Sequence, residues 1–525
     1  MTAIPASCPA RIETPAARER RHTAGLAAAA RVLPLLAALA ATVPFIGPWC
    51  RLTPDSFKYL SAARCLWETG AFPPERLIAP PGFPTLLAPL MALGDAPFLA
   101  IRILLSVSFV AAVLLTQAIL SRTIGPRAGL AAAWLTAVSA IMSAQSATLL
   151  SEIPYLPLAL ASLLFAVNWQ SRGCAGAREA AVAGLLAGCA IAVRAMGVVL
   201  VPVLLACLVL SPHNVRRARV RHATIFLVAF ALIPVAWHHR QGRYPAAYGY
   251  ATQWTRARDC ENSDATGAAL QFERLRTFGP MRLADVGAAV VPPRLGWRLL
   301  HGENRSPAAW LIGLPIAAIA LYRLARFRSA PDAYLVATLM MLALWPWDEG
   351  PRLIVPVLPF IWGCVAWLFG AVLSALRRRP ACRVVIMTLA AALGAIHAAE
   401  FIFTSRAMNR MDARETGIWN NAESLATRLD RETPAGTRLL AVIPSAHGDK
   451  VLLTAAAYLS RRDLCEWFEV GKTRCIPARA ANCDLALVHS EIVRPPDELI
   501  LGEKMADLPG FRMYALPGAS APTQP

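Results

Sequence analysis

Lysine is almost missing from this chain of 525 residues: Lys58, Lys450, Lys472 and Lys504 are the only four among 52 basic residues. Charge of any sign is scarce, at 16% against the roughly 25% of soluble domains. The 12 cysteines form no Cys-x-x-Cys pair and several lie inside apolar runs, so no zinc framework is present. There is no internal repeat of fixed period, which excludes a solenoid. A cleaved signal peptide is not expected either. The first apolar block, Gly25–Trp49, is too long for an h-region and lacks a small-residue cleavage site, so it reads as a signal anchor. The net charge of +19 is not a nucleic-acid signature, because the arginines gather in short loops between apolar blocks.

What the chain has in abundance is apolar sequence. Hydrophobic residues make up 56%, and the mean hydropathy is +0.46. They come in blocks of the length that crosses a bilayer rather than at helical or strand periods. Eleven such blocks run from Gly25–Trp49 through Pro97–Leu120, Ala128–Thr148, Ile153–Trp169, Glu179–Val193, Met196–Leu210, Ala223–Trp237, Pro307–Tyr322, Ala333–Trp347 and Leu353–Leu376 to Val384–Thr404. The expected fold is mainly α: a polytopic membrane protein of about eleven transmembrane helices with a small external α/β domain at the C-terminus.

Arginine orients this array. The tail 1–24 carries Arg11, Arg18, Arg20 and Arg21, which places it in the cytoplasm. Every second loop is then basic, from Arg122 and Arg127 through Arg216–Arg221 to Arg377–Arg383. The alternation requires Glu179–Leu210 to be a hairpin of two short helices with Arg194 at its tip. The opposite side receives the long segments 51–96 and 238–306 and everything after the membrane domain 25–404. In 405–525 the apolar blocks shorten. Asn420–Arg431 reads as an amphipathic helix, and the runs from Arg438, Asp484 and Phe511 read as strands. Cys465, Cys475 and Cys483 would lie in a compartment that permits disulfides, with Cys465–Cys475 the expected bridge.

Four residues could carry chemistry. Asp55 lies in TPDSFKYLSAARCLWETG, where Phe57, Leu60, Ala63 and Trp67 mark a helix lying along the membrane surface. It is either a general base or the N-cap of that helix. Glu152, in LLSEIPYLPLAL, is the only charge between two spans. It is a second carboxylate of the site or a marker of the interface. Arg194 and Arg352 face the same side and either fork onto a phosphate or snorkel to lipid headgroups. The proline-rich Ala79–Gly94 fits a broken, partly re-entrant segment.

In their order, these landmarks resemble the C-type membrane glycosyltransferases. The likeness is to the bacterial branch related to dolichyl-phosphate-mannose protein mannosyltransferases and the lipid A aminoarabinose transferase. It rests on PDSFKYLSAARCLWETG, PPGFPTLLAPL, SEIPYLPLALASLLF, GLLAGCAIAVRAMGVVLVP and PRLIVPVLPF, followed by RLDRETPAGTRLLAV and AAAYLSRRDL, and covers about residues 25–460. The resemblance implies a plasma-membrane enzyme that takes a sugar from a polyprenyl-phosphate donor on the external face, with inversion, and passes it to a lipid, glycan or protein acceptor. Asp55 then matches the catalytic carboxylate and Glu152 a second acidic position. Arg194 and Arg352 match basic positions for the donor phosphate. A lone Asp55 replaces the family's acidic pair, so a divalent metal finds fewer ligands here. Two rival readings are a lipid or sugar flippase, which expects ionisable groups near the midplane of repeated halves, and an inactive scaffold for cell-envelope assembly.

Overall fold

A computed structural model describes residues 32–40, 42, 50–72, 80–94, 97–173, 176–210, 216–241, 266–291, 307–345, 350–433, 437–443, 447–460, 463–469, 483–489, 504–508 and 511–516. The membrane part is built from helices. In chain order they are α1 (Pro54–Thr69), α2 (Phe98–Thr123), α3 (Pro126–Ala137), α4 (Ala140–Ser146), α5 (Glu152–Arg172), α6 (Ala177–Val193), α7 (Leu200–Val209), α8 (Arg216–Gln241), α9 (Gly267–Val290), α10 (Pro307–Phe327), α11 (Ala330–Ala343), α12 (Leu358–Ala375) and α13 (Pro380–Glu432).

Among the described residues, six helices are long and apolar enough to cross a membrane, and seven if the pair α3–α4, bent by 55°, counts as one span. This is fewer than the eleven apolar blocks, for reasons of coverage and of helix length. The block Gly25–Trp49 is described only at 32–40 and 42. The apolar stretch Ala330–Ala343 is a helix of 14 residues, and α6 has 17. At 1.5 Å per residue these reach about 21 and 25 Å, short of the roughly 30 Å hydrocarbon layer. Arg194 ends α6 with an extended backbone (φ −150°, ψ 127°). A 3₁₀ turn, Ala195–Val199, then leads into α7. The expected division of Glu179–Leu210 at Arg194 is therefore present.

Small residues set the closest helix contacts. A Cβ on Gly287 of α9 would stand 1.8 Å from the Ala309 carbonyl oxygen of α10, and one on Gly313 would stand 1.8 Å from that of Leu283. Two buried arginines are paired with carboxylates. Arg323 grips Asp332 through two hydrogen bonds of 2.9 and 3.1 Å, and Arg282 donates to Asp285 at 3.0 Å. Pairing of this kind is what a charge requires when it leaves water.

The C-terminal part departs from expectation in one respect. Asn420–Arg431 is not a separate helix: α13 runs unbroken for 53 residues, from the last apolar block to Glu432. Beyond it, strands β1 (Arg438–Ile443), β2 (Asp463–Glu469), β3 (Leu485–His489), β4 (Lys504–Leu508) and β5 (Phe511–Ala515) form one sheet in the order β2-β1-β3-β5-β4. The β1 strand pairs in parallel with β2 and β3, and β5 pairs antiparallel with β3 and β4. Helix α14 (His447–Leu459) joins β1 to β2, as a parallel pair demands. The strands read from Arg438, Asp484 and Phe511 are present; β2 and β4 were not anticipated. Cys475 and the side chain of Cys465 lie outside the described residues, and Cys483 is buried.

The two parts meet through aromatic rings. Trp419 of α13 stacks on Phe57 of α1 at 6.4 Å and meets Phe98 edge-on at 5.1 Å. Arg64 of α1 lies 3.7 Å over the Tyr458 ring and donates to the Tyr458 carbonyl at 3.0 Å. Phe57, Leu60 and Ala63 are buried as their spacing predicted, whereas Trp67 is 52% exposed.

Candidate functional site

Helix α1 is held where it starts. Thr53 is its N-cap, in a reciprocal capping box with Ser56. Asp55 therefore stands in the first turn and is not the cap. Just upstream, Arg51 N donates to the Ala147 carbonyl at 3.0 Å, and Leu149 N donates to that of Arg51 at 3.0 Å. Ser56 Oγ adds a 2.8 Å bond to the Leu149 carbonyl. These bonds tie the start of α1 to the link before α5, and so bring Asp55 towards Glu152.

The four residues singled out in the sequence come together. Asp55 Oδ2 accepts from Arg352 Nη2 at 3.2 Å and Oδ1 from Lys58 Nζ at 3.0 Å. Arg352, on a 3₁₀ turn (Gly350–Val357) before α12, also brings Nε to 4.0 Å from Glu152 Oε1. On the other side of Glu152, Arg194 Nη1 lies 2.9 Å from Oε1. The same Nη1 donates to Ser151 Oγ at 3.3 Å, and Ser151 Oγ lies 3.2 Å from the Tyr59 hydroxyl. One guanidinium thus stands between the two carboxylates, and a second flanks the deeper one.

Exposure separates the two acids. Glu152 is 1% exposed and Asp55 36%. Burial of the Asp55 carboxyl works against ionisation, but Lys58 and Arg352 outweigh it and hold Asp55 below the usual carboxylate range. Burial pushes the Tyr59 hydroxyl far up, with negative Glu152 adding to it, so this group stays a neutral donor.

The proline-rich segment supports the Arg194 side. It breaks into a short helix, Gly82–Leu87, and a 3₁₀ turn, Ala88–Leu93. Gly82 touches the end of α6: a Cβ there would come within 2.7 Å of the Ala192 carbonyl. Phe83 packs edge-on against Tyr59 at 5.0 Å. Sequence reasoning missed Lys58, Tyr59 and Ser151. Two of them had a signal, since Lys58 and Tyr59 follow Asp55 by three and four residues on one helical face. Asp348 and Glu349 lie outside the described residues. Among the described residues no three His, Cys, Asp or Glu side chains gather into a metal-binding group.

Comparison with known proteins places this geometry in context. Residues 79–239 match the family model described as dolichyl-phosphate-mannose-protein mannosyltransferase. The crystal structure of ArnT from Cupriavidus metallidurans bound to undecaprenyl phosphate is similar, with a TM-score of 0.54 at 14% identity, covering 94% of this chain and 99% of that one. The oligosaccharyltransferase AglB from Archaeoglobus fulgidus, in complex with an inhibitory peptide and a dolichol-phosphate, gives a TM-score of 0.53 at 12% identity over 89% of this chain and 70% of that one. No curated protein matches the sequence. The resemblance to C-type membrane glycosyltransferases read from the motifs is upheld, and the chain is a polytopic membrane protein of that fold.

Proposed function

We propose that this chain is a membrane glycosyltransferase that moves a sugar from a polyprenyl-phosphate carrier to a lipid, glycan or protein acceptor on the external face. The observation that carries the reading is the convergence of Asp55, Glu152, Arg194 and Arg352, drawn from four separate segments, into one charged cluster. Arg194 and Arg352 supply forked donors suited to a phosphate. Asp55, the more exposed carboxylate, is the one an incoming acceptor can reach.

In the reaction, the acceptor hydroxyl attacks the anomeric carbon from the side opposite the phosphate. Its proton passes to Asp55, and the bond from the anomeric carbon to the phosphate oxygen breaks. The arginines stabilise the charge that builds on the departing phosphate. Glu152 is the second carboxylate of the site. Because Arg352 contacts Asp55, donor binding and base position are coupled through one side chain. The fold family can place a divalent ion among acidic residues. Here Asp55 and Glu152 would be its carboxylate ligands, but Arg352 lies between them and already supplies positive charge, so the fit is poor.

The accompanying topology has the tail 1–24 in the cytoplasm, about eleven spans within 25–404, external segments 51–96 and 238–306, and an external domain 405–525. Support comes from the alternation of arginine-rich loops. Purified protein incubated with a panel of polyprenyl-phosphate sugars tests the activity, with mass spectrometry for released polyprenyl phosphate. At least one sugar should turn over; release from none, in protein that binds the lipid phosphate, would point to a non-enzymatic role. Cysteine labelling from each side tests the orientation, and an engineered C-terminal cysteine that reacts only from the cytoplasm would overturn it.

A further inference from the structure

Glu152 is the deepest charged group of the site, and it is incompletely satisfied. Both carboxylate oxygens are shut off from water and neither receives a directed hydrogen bond. Arg194 Nη1 is 2.9 Å from Oε1, yet its N–H does not point at that oxygen, and Arg352 Nε stands 4.0 Å away. The arginines therefore balance the charge of Glu152 without filling its acceptor directions. An ionised carboxylate has about four of these, and buried acceptors left empty are costly and rare.

The chemistry of the missing partner follows. It must donate hydrogen bonds, so it is not a phosphate, whose oxygens accept and whose charge Glu152 repels. It must also sit beside two guanidinium groups suited to phosphate. Adjacent hydroxyls of a sugar ring, one or two bonds from a phosphorylated anomeric carbon, meet both conditions. We propose that Glu152 reads the donor sugar, accepting hydrogen bonds from its ring hydroxyls while Arg194 and Arg352 hold the phosphate. This rests on the glycosyltransferase reading and makes Glu152 a specificity-determining residue rather than a second base. Ser151 and the neutral Tyr59 hydroxyl, next in the same chain of polar contacts, would border the sugar.

The test is a binding comparison on the full-length protein in detergent. Its probes are undecaprenyl phosphate itself and the same lipid carrying glucose, mannose, galactose or arabinose. Wild type should bind at least one sugar-bearing lipid about tenfold or more tighter than the bare lipid phosphate, in keeping with hydrogen bonds to a charged group. Glu152→Gln should erase that preference and leave affinity for bare undecaprenyl phosphate within about threefold. Loss of bare-lipid binding in a Glu152→Gln protein that melts normally would overturn the proposal, since Glu152 would then only be orienting the arginines. Survival of the sugar preference in Glu152→Gln would overturn it equally.

If the variant does not fold, single-deoxy versions of the preferred lipid sugar decide the question in wild type. A tenfold or greater loss at one or two neighbouring hydroxyls supports the proposal, and even tolerance of every deletion rejects it. Wild type that binds bare undecaprenyl phosphate with no preference for any sugar rejects this inference alone. Wild type that binds neither form removes the underlying glycosyltransferase reading as well.

Discussion

Replacing Asp55 by Asn separates the chemical role of this residue from its structural one. The exchange keeps the shape of the side chain and leaves the helix start intact, because the N-cap is Thr53 with Ser56. What it removes is the charge that meets Lys58 at 3.0 Å and Arg352 at 3.2 Å. With Asp55 36% exposed, each pair falls in the range of solvent-screened bridges, about 0.2–1 kcal/mol. The total cost in stability should thus stay below about 2 kcal/mol. A positioned general base contributes about 10²–10⁴-fold to rate, or roughly 3–5 kcal/mol of barrier. The two effects differ enough to be told apart. The assay is turnover of a verified polyprenyl-phosphate sugar, run beside a thermal melt and a binding curve for the lipid phosphate. Turnover should fall by at least a hundredfold, with a nearly unchanged melt. Donor affinity should hold or rise slightly, since Arg352 loses a competing partner. Near-normal turnover would show that Asp55 takes no proton in the rate-limiting step.

Three further predictions follow from neighbouring contacts. Arg352→Gln removes one of the two cations that hold the Asp55 carboxyl low while burial persists, so its pKa should rise. In wild type Asp55 stays ionised, and its ion pairs intact, at every pH above the ordinary value of about 3.9; these are lost only as pH falls through its lower folded value. A pH profile of kcat/KM for the acceptor should therefore show no Asp55 limb above about pH 5 in wild type, but an acid limb shifted upward in Arg352→Gln, together with weaker donor binding. An unshifted limb would deny the coupling. Trp419→Ala empties the space between Phe57 and Phe98; cavities of this kind cost about 3–5 kcal/mol, and proteolysis between α13 and α14 should accelerate. Gly82→Ala drives a methyl group into the Ala192 carbonyl, which should displace the end of α6 and weaken donor binding while Asp55 is untouched. Full donor affinity in that variant would show that Arg194 is placed independently of the proline-rich segment.

Much of this was legible from sequence because a bilayer imposes a simple grammar. Apolar length marks helices, so α2, α5, α8 and α10 fall close to their blocks. The break at Arg194 followed from charge alternation alone. Legibility ended where tertiary contacts decide. Nothing local distinguishes α13 as one helix of 53 residues, because the stretch after Thr404 changes polarity and holds Gly417, a residue that more often ends a helix than sits inside one. Strand β2, DLCEWFE, carries acidic residues within it, so its composition hides a parallel partner that only β1 reveals. In the site, Asp55, Glu152, Arg194 and Arg352 stood out as charges at the ends of apolar blocks. Ser151 and Tyr59 were not, since a hydroxyl among apolar residues announces nothing until another element brings it a partner. The cap weighed as the alternative role for Asp55 belongs to Thr53, two residues earlier at the same helix start.

The unbroken course of α13 has a mechanical consequence. At 1.5 Å per residue it is about 80 Å long, begins in the apolar part of the chain and carries Trp419 about 60 Å from its start. A tilt of about 5° at its base displaces Trp419 by about 5 Å. With Trp419 stacked on Phe57, two residues beyond Asp55, such a swing would be delivered to the first turn of α1 rather than absorbed by a flexible hinge. Changes in bilayer thickness, which alter the tilt of spanning helices, would therefore act on the start of α1, where Asp55 lies, through this contact.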